Sequence, residues 1–111
     1  MGWTMRFYVA LGDFVGPITH VRVIEAKSVL AAKMQLNKIS RFCNVFIFER
    51  MRGAFELDPE SLVAFRPGKG IEIPHWVKVD EGFKNYFRRE IERAEGRGIT
   101  FIGRAPKRVE L

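Results

Sequence analysis

Hydrophobic and polar positions alternate over Met5–Leu11, with Met5, Phe7, Val9 and Leu11 on one face and Arg6, Tyr8 and Ala10 on the other. This is the period-two pattern of a strand. Gly12, Gly16 and Pro17 mark a loop, after which His20–Glu25 alternates again, Val21 and Val23 against His20, Arg22 and Ile24. The two segments read as an antiparallel hairpin. The period then changes. Behind Ser28, a good N-cap, Val29, Ala32, Leu36 and Ile39 recur at helical spacing and predict a helix over Ser28–Ile39. Its stripe is expected to cover the sheet face carrying Phe7, Val9, Val21 and Val23, leaving Lys27, Lys33 and Lys38 in solvent.

Cys43–Glu49 is apolar on both faces, Val45 and Ile47 against Phe46 and Phe48. Such a strand is central and covered twice, or its second face meets a partner chain. Ala54–Leu57 reads as a short strand. Asp58-Pro59-Glu60-Ser61 reads as a turn into a strand over Leu62–Phe65, because Pro67 and Gly68 leave a helix there too little room. Ile71–Val79 keeps one apolar parity across Pro74 and reads as an extended edge segment, since proline cannot donate to a ladder. A second helix is predicted over Glu81–Glu95, with Phe83, Phe87, Ile91 and Ala94 inward, Tyr86 beside them, and Gly96 closing it. Ile99–Ile102 reads as a last strand.

The expected fold is α+β: a two-layer arrangement of a mostly antiparallel five- or six-stranded sheet and two main helices, with a β-β-α opening. Residues 1–103 form one domain, and residues 104–111 a basic tail. The opening recurs in unrelated domains and carries no function by itself.

Charge changes the picture more than composition does. The chain has 111 residues, with 19 Lys and Arg against 13 Asp and Glu, net +6. The charge is unevenly placed: seven basic and two acidic residues from His20 to Arg52, three and six from Gly53 to Gly82, eight and four from Phe83 to Leu111. Arginine outnumbers lysine 12 to 7, which suits phosphate or interface contacts because guanidinium is a rigid fork of donors. One cysteine excludes an internal disulfide framework. No apolar run reaches membrane-helix length, and Met1–Arg6 lacks the basic run and apolar core of a signal peptide. A soluble, cytoplasmic protein is expected, without a membrane partner.

The residues do not assemble a catalytic pattern. His20 and His75 are the only histidines, Cys43 reads as a small buried residue, and no zinc spacing is present. Glu49, Glu56, Asp58 and Glu60 read as strand-end and turn carboxylates. Arg66-Pro67-Gly68-Lys69-Gly70 lacks the full phosphate-loop signature. No enzyme activity, cofactor or metal is expected.

Binding is the reading the residues favour. On the hairpin's outer face, Arg6, Tyr8, His20 and Arg22 are expected to cluster, cations around a stacking ring as single strands require. Arg88, Arg89, Arg93, Arg97, Arg104, Lys107 and Arg108 form a second set, and Lys69 a loop contact to phosphate. The expectation is a small basic protein that binds single-stranded or structured RNA or DNA with limited sequence specificity. The alternative is a structural, assembly or adaptor protein, viral or accessory, acting as a homodimer or higher oligomer or through an acidic partner. Ten Phe and two Trp support that alternative, because aromatics and arginine are enriched at interfaces.

Overall fold

The computed structural model describes residues 3–12, 18–53, 56–68, 75–96 and 108–110, with backbone alone for 18–20, 53, 56, 90–96 and 108–110. The chain runs β1 (Met5–Gly12), β2 (Ile18–Ala26), α1 (Val29–Leu36), β3 (Asn44–Phe48), β4 (Met51–Gly53), β5 (Glu56–Leu57), a 3-10 turn (Pro59–Ser61), β6 (Leu62–Arg66), α2 (Glu81–Gly96) and β7 (Arg108–Glu110). The main sheet has the order β6-β3-β1-β2-β7. Its pairs are antiparallel except β2 with β7. Strands β4 and β5 pair separately. No described helix is long and apolar enough to cross a membrane.

The α+β class, the mostly antiparallel sheet and the strand-strand-helix opening are as expected. The two helices, however, take opposite faces. Phe7, Val9, Leu11, Val45, Ile47 and Ala64 pack with Ala32 and Leu36 of α1. The alternate residues Ala10, Phe46, Phe48 and Leu62 pack with Phe87 of α2 and with Leu57. The sheet is therefore sandwiched, one layer more than the expected two. The reason lies in β3, whose two apolar faces each require a cover. Phe46 stacks on Phe65 with centroids 4.7 Å apart and meets Phe87 at 5.6 Å. The second face of β3 is thus covered within the chain, and no partner is needed there.

The hairpin register departs from the expected one. Phe7 lies opposite Ile24, Tyr8 opposite Val23, and Val9 opposite Arg22. Directly paired residues share a face, so Val21 and Val23 lie on the α2 face and not with Phe7 and Val9 beneath α1. A one-residue change of register moves every side chain to the other face.

Ser28 caps α1 as expected: its extended backbone lets Oγ accept from the Ala31 amide at 3.1 Å. The other end of α1 is held by a residue on the fourth strand after it. Arg66 is 2% exposed, at the end of β6. Its Nη2 donates to the carbonyls of Ser40 (2.7 Å) and Ile39 (3.1 Å), and Nη1 makes a long contact to Leu36 O at 3.5 Å. Ile39 and Ser40 lie in the turn beyond Leu36, so the guanidinium holds that turn against the helix end, and a cation there also offsets the negative end of the helix dipole. Burial pushes the Arg66 guanidinium down from its ordinary value without discharging it. Two residues on, Gly68 donates its amide to Asn44 Oδ1 at 2.8 Å, and an added Cβ would lie 2.5 Å from the Phe42 carbonyl oxygen. Only glycine fits against that backbone.

On the other face, Ser61 is buried and joins the turn to β4: Oγ accepts from the Arg50 amide at 3.0 Å and donates to the Asp58 carbonyl at 2.8 Å. Asp58 caps the 3-10 turn by accepting from the Glu60 amide, and Arg50 pairs with its carboxylate at 3.2 Å. Helix α2 docks on this turn. Arg88 forks onto Glu60, Nε to Oε1 and Nη2 to Oε2 (2.9 Å), while Lys84 Nζ donates to the Glu60 carbonyl. The pair ties α2 to the 3-10 turn beside Phe83 and Phe87.

The edge segment expected over Ile71–Val79 is seen at Val77, which bridges Phe65; its residues 71–74, and the strand expected at Ile99–Ile102, lie outside the described residues. Arg108–Glu110, expected in a basic tail, run parallel to Val21–Val23 as the edge strand β7.

These contacts set two expected outcomes. Arg66→Met should destabilise the fold by about 2–4 kcal/mol, since it strips charged hydrogen bonds from part-buried carbonyls. Urea midpoints at constant slope would show it, and Gly68→Ala should also shift the midpoint downward. The second concerns acid. The Arg88 hydrogen bond holds the Glu60 carboxyl below the usual glutamate range. A depressed folded-state pKa gives a contribution present at neutral pH and lost as pH falls through that pKa. In an NMR titration the Glu60 midpoint should lie below that of an unperturbed glutamate, and Arg88→Met should return it to the ordinary range.

Candidate nucleic-acid interface

The structure separates the residues expected to cluster on the hairpin. Arg6 and Tyr8 belong to the α2 face, whereas Arg22 pairs with Val9 and the backbone of His20 pairs with Leu11, both on the α1 face. Tyr8 is half-buried against the core that contains Phe46 and Phe87, so its ring is not an open stacking platform. Arg6 is exposed and lies opposite Glu25. In the second set, Arg88 is engaged with Glu60 and approaches Glu81 at 3.9 Å. Arg89 is exposed on α2, and Arg93 is described by its backbone alone. Lys69, Arg97, Arg104 and Lys107 lie outside the described residues, and Arg108 is a backbone position in β7.

A different set of residues comes together around α1. Between Glu25 and Glu49 the sequence holds no acidic residue, while it holds Lys27, Lys33, Lys38 and Arg41. This run makes α1, both its ends and β3. Arg22 joins it from the adjacent strand because the hairpin register turns position 22 toward α1. Among the described residues no ion pair engages Arg22, Lys27, Lys33, Lys38 or Arg41. Among the described residues, then, no ion pair cancels the positive potential of this layer.

The aromatic group that the hairpin does not supply is also here. Phe42 is 53% exposed in the turn after α1, with the Arg41 guanidinium 5.4 Å from its ring centroid. On the flank of the helix, Lys33 sits 5.8 Å from the half-buried Trp76 ring, and Trp76 Nε1 donates to Asn37 Oδ1 at 3.1 Å. Each pair sets a cation over or beside a ring.

Next to these groups a cleft of about 490 Å³ opens between β2 and the C-terminal end of α1. Arg22, Gln35, Leu36, Lys38 and Ile39 line it. Gln35 is fixed by donating Nε2 to the Glu25 carbonyl at 2.9 Å. On the outer side of α1, Leu30 and Met34 are exposed one turn apart.

Sequence reasoning missed Phe42, Arg41, Lys38 and Gln35 as site residues. The acid-free run between Glu25 and Glu49 was the signal that could have found them. Among the described residues no group of three or more His, Cys, Asp and Glu side chains gathers as metal ligands would. His75 is exposed and Cys43 half-buried, rather than the fully buried residue expected.

No protein-family model matches the chain, and neither a curated protein nor a solved structure is significantly similar to it.

Proposed function

We propose that the protein binds single-stranded or structured nucleic acid through the α1 layer. The observation that carries this reading is the set of five cations, Arg22, Lys27, Lys33, Lys38 and Arg41, in a layer whose own sequence from 26 to 48 has no carboxylate. Such a surface attracts a polyanion by releasing its counterions. The exposed Phe42 ring beside Arg41 adds a face on which an unpaired base can stack. A duplex offers no free base to that ring, and α1, eight residues long, is not joined to a second helix as in a helix-turn-helix reader. The contacts are to phosphate and to ring faces, which favours limited sequence specificity.

A second reading draws on Leu30 and Met34. An apolar pair exposed beside lysines suits an acidic amphipathic segment of a partner protein. Leu30→Ser with Met34→Ser should then abolish partner binding while sparing nucleic acid.

Titration against single-stranded RNA, single-stranded DNA and duplex at several salt concentrations tests the primary reading. Affinity for the single strands should fall steeply with salt. Lys38→Gln and Arg41→Gln should each reduce the slope of log K against log salt by about 0.7. Arg89→Gln on α2 should leave it unchanged. Phe42→Ala should weaken binding about five- to tenfold or more with the slope retained, because stacking releases no counterion. Absence of binding to all three at low salt would overturn the proposal.

A further inference from the structure

We infer that the cleft between β2 and the end of α1 receives a single unpaired nucleotide. The inference deepens the nucleic-acid reading and rests on it for the strand that delivers the nucleotide. A surface that only neutralises phosphates needs no concavity. This one has a cleft of about 490 Å³, within the roughly 300–1,000 Å³ of pockets that hold small organic ligands.

The lining is divided in the way a nucleotide is divided. Ile39, half-buried, supplies an aliphatic wall against which the face of a base can lie, with Leu36, almost wholly buried, behind it. Arg22 and Lys38 supply the cations that a phosphate requires. Gln35 stands between these functions. Its Nε2 is committed to the Glu25 carbonyl, which turns the amide into a fixed group whose Oε1 has no partner among the described residues. A fixed acceptor suits an exocyclic amine on a base edge. A bare anion would use only the two cations and would leave the apolar wall and the amide unexplained.

The supports are rigid. Arg22 stands in a strand paired on both sides, by β1 and by β7. Lys38 and Ile39 stand on the turn whose carbonyls Arg66 holds. The cleft is consequently formed before a ligand arrives, which lowers the ordering cost of binding. The base must be unpaired to enter, so the cleft also selects single strands over duplex.

The test uses the full chain and three probes: adenosine 5′-monophosphate, inorganic phosphate, and a single-stranded oligonucleotide carrying one 2-aminopurine. Adenosine 5′-monophosphate should shift the NMR signals of the Leu36 and Ile39 methyls and the Gln35 amide, whereas phosphate should shift only those near Arg22 and Lys38. The 2-aminopurine fluorescence should change on binding. Gln35→Leu should weaken the oligonucleotide about fivefold with the salt slope unchanged, and Arg22→Gln should lower the slope. Identical shifts from phosphate and from the mononucleotide would overturn the inference and leave an anion site. Salt-dependent oligonucleotide binding with unmoved cleft signals would overturn it while the nucleic-acid reading stands. Cleft shifts from the mononucleotide without oligonucleotide binding would uphold the cleft and remove the nucleic-acid reading.

Discussion

The buried guanidinium of Arg66 is the interaction on which both the fold and the candidate site depend. The turn that follows α1 packs against the sheet, and its backbone carbonyls need donors there. Arg66 reaches Ser40 and Ile39 from the sheet edge and so ties β6 to the end of α1. Gly68 presses the following backbone against Phe42 and donates to Asn44 at the start of β3. Residues 37–43 are therefore fixed from beneath at two points. That turn carries Lys38, Arg41 and Phe42 outward. One cation is desolvated to hold the turn, and its charge adds to the positive field of the layer above it.

The faces of the hairpin are a register problem, and the sequence contains little that decides it. When one face of a strand is wet, polar residues mark it and the register follows. Here β1 and β3 are buried on both faces, and β2 carries apolar residues on both: Val21 and Val23 meet one helix layer, Ile24 and Ala26 the other. Alternation identifies such strands but does not say which residues of the pair stand together. The connection spans 13–17, too long to impose a register as a two-residue turn does. Existence and type of the main elements were legible for the opposite reason. Ser28 with the spacing of Val29, Ala32, Leu36 and Ile39 is a local signal, and it places α1 to within its last turn. The third layer was legible in the two apolar faces of β3 once both are taken to need a cover inside the chain.

Part of the charge on α2 is engaged inside the fold. The basic residues of α2 stand among Glu81, Glu90, Glu92 and Glu95, and Arg88 finds a fork-to-fork partner in Glu60 from a segment that reads as merely acidic. The acidic block from Gly53 to Gly82 thus contributes to docking the second helix. The block from His20 to Arg52 carries seven cations against eight from Phe83 to Leu111, but between Glu25 and Glu49 it holds no carboxylate. What governs a field is the charge left after local pairing, and a count over a long window hides it.

The same separation explains how one small sheet serves two purposes. The α2 face is held by stacked phenylalanines and by the Arg88–Glu60 fork, contacts that are spent in cohesion. The α1 face is held by a mostly aliphatic core around Phe7 and by Arg66 from beneath. Register joins the two halves. Shifted by one residue, β2 would present Val21 and Val23 to α1 and send Arg22 to the α2 face, and the cleft would lose a cation. The position of Arg22 is thus set by the packing of Ile24 and Ala26 beneath α1, which makes the charge of the candidate site a consequence of how the core is filled.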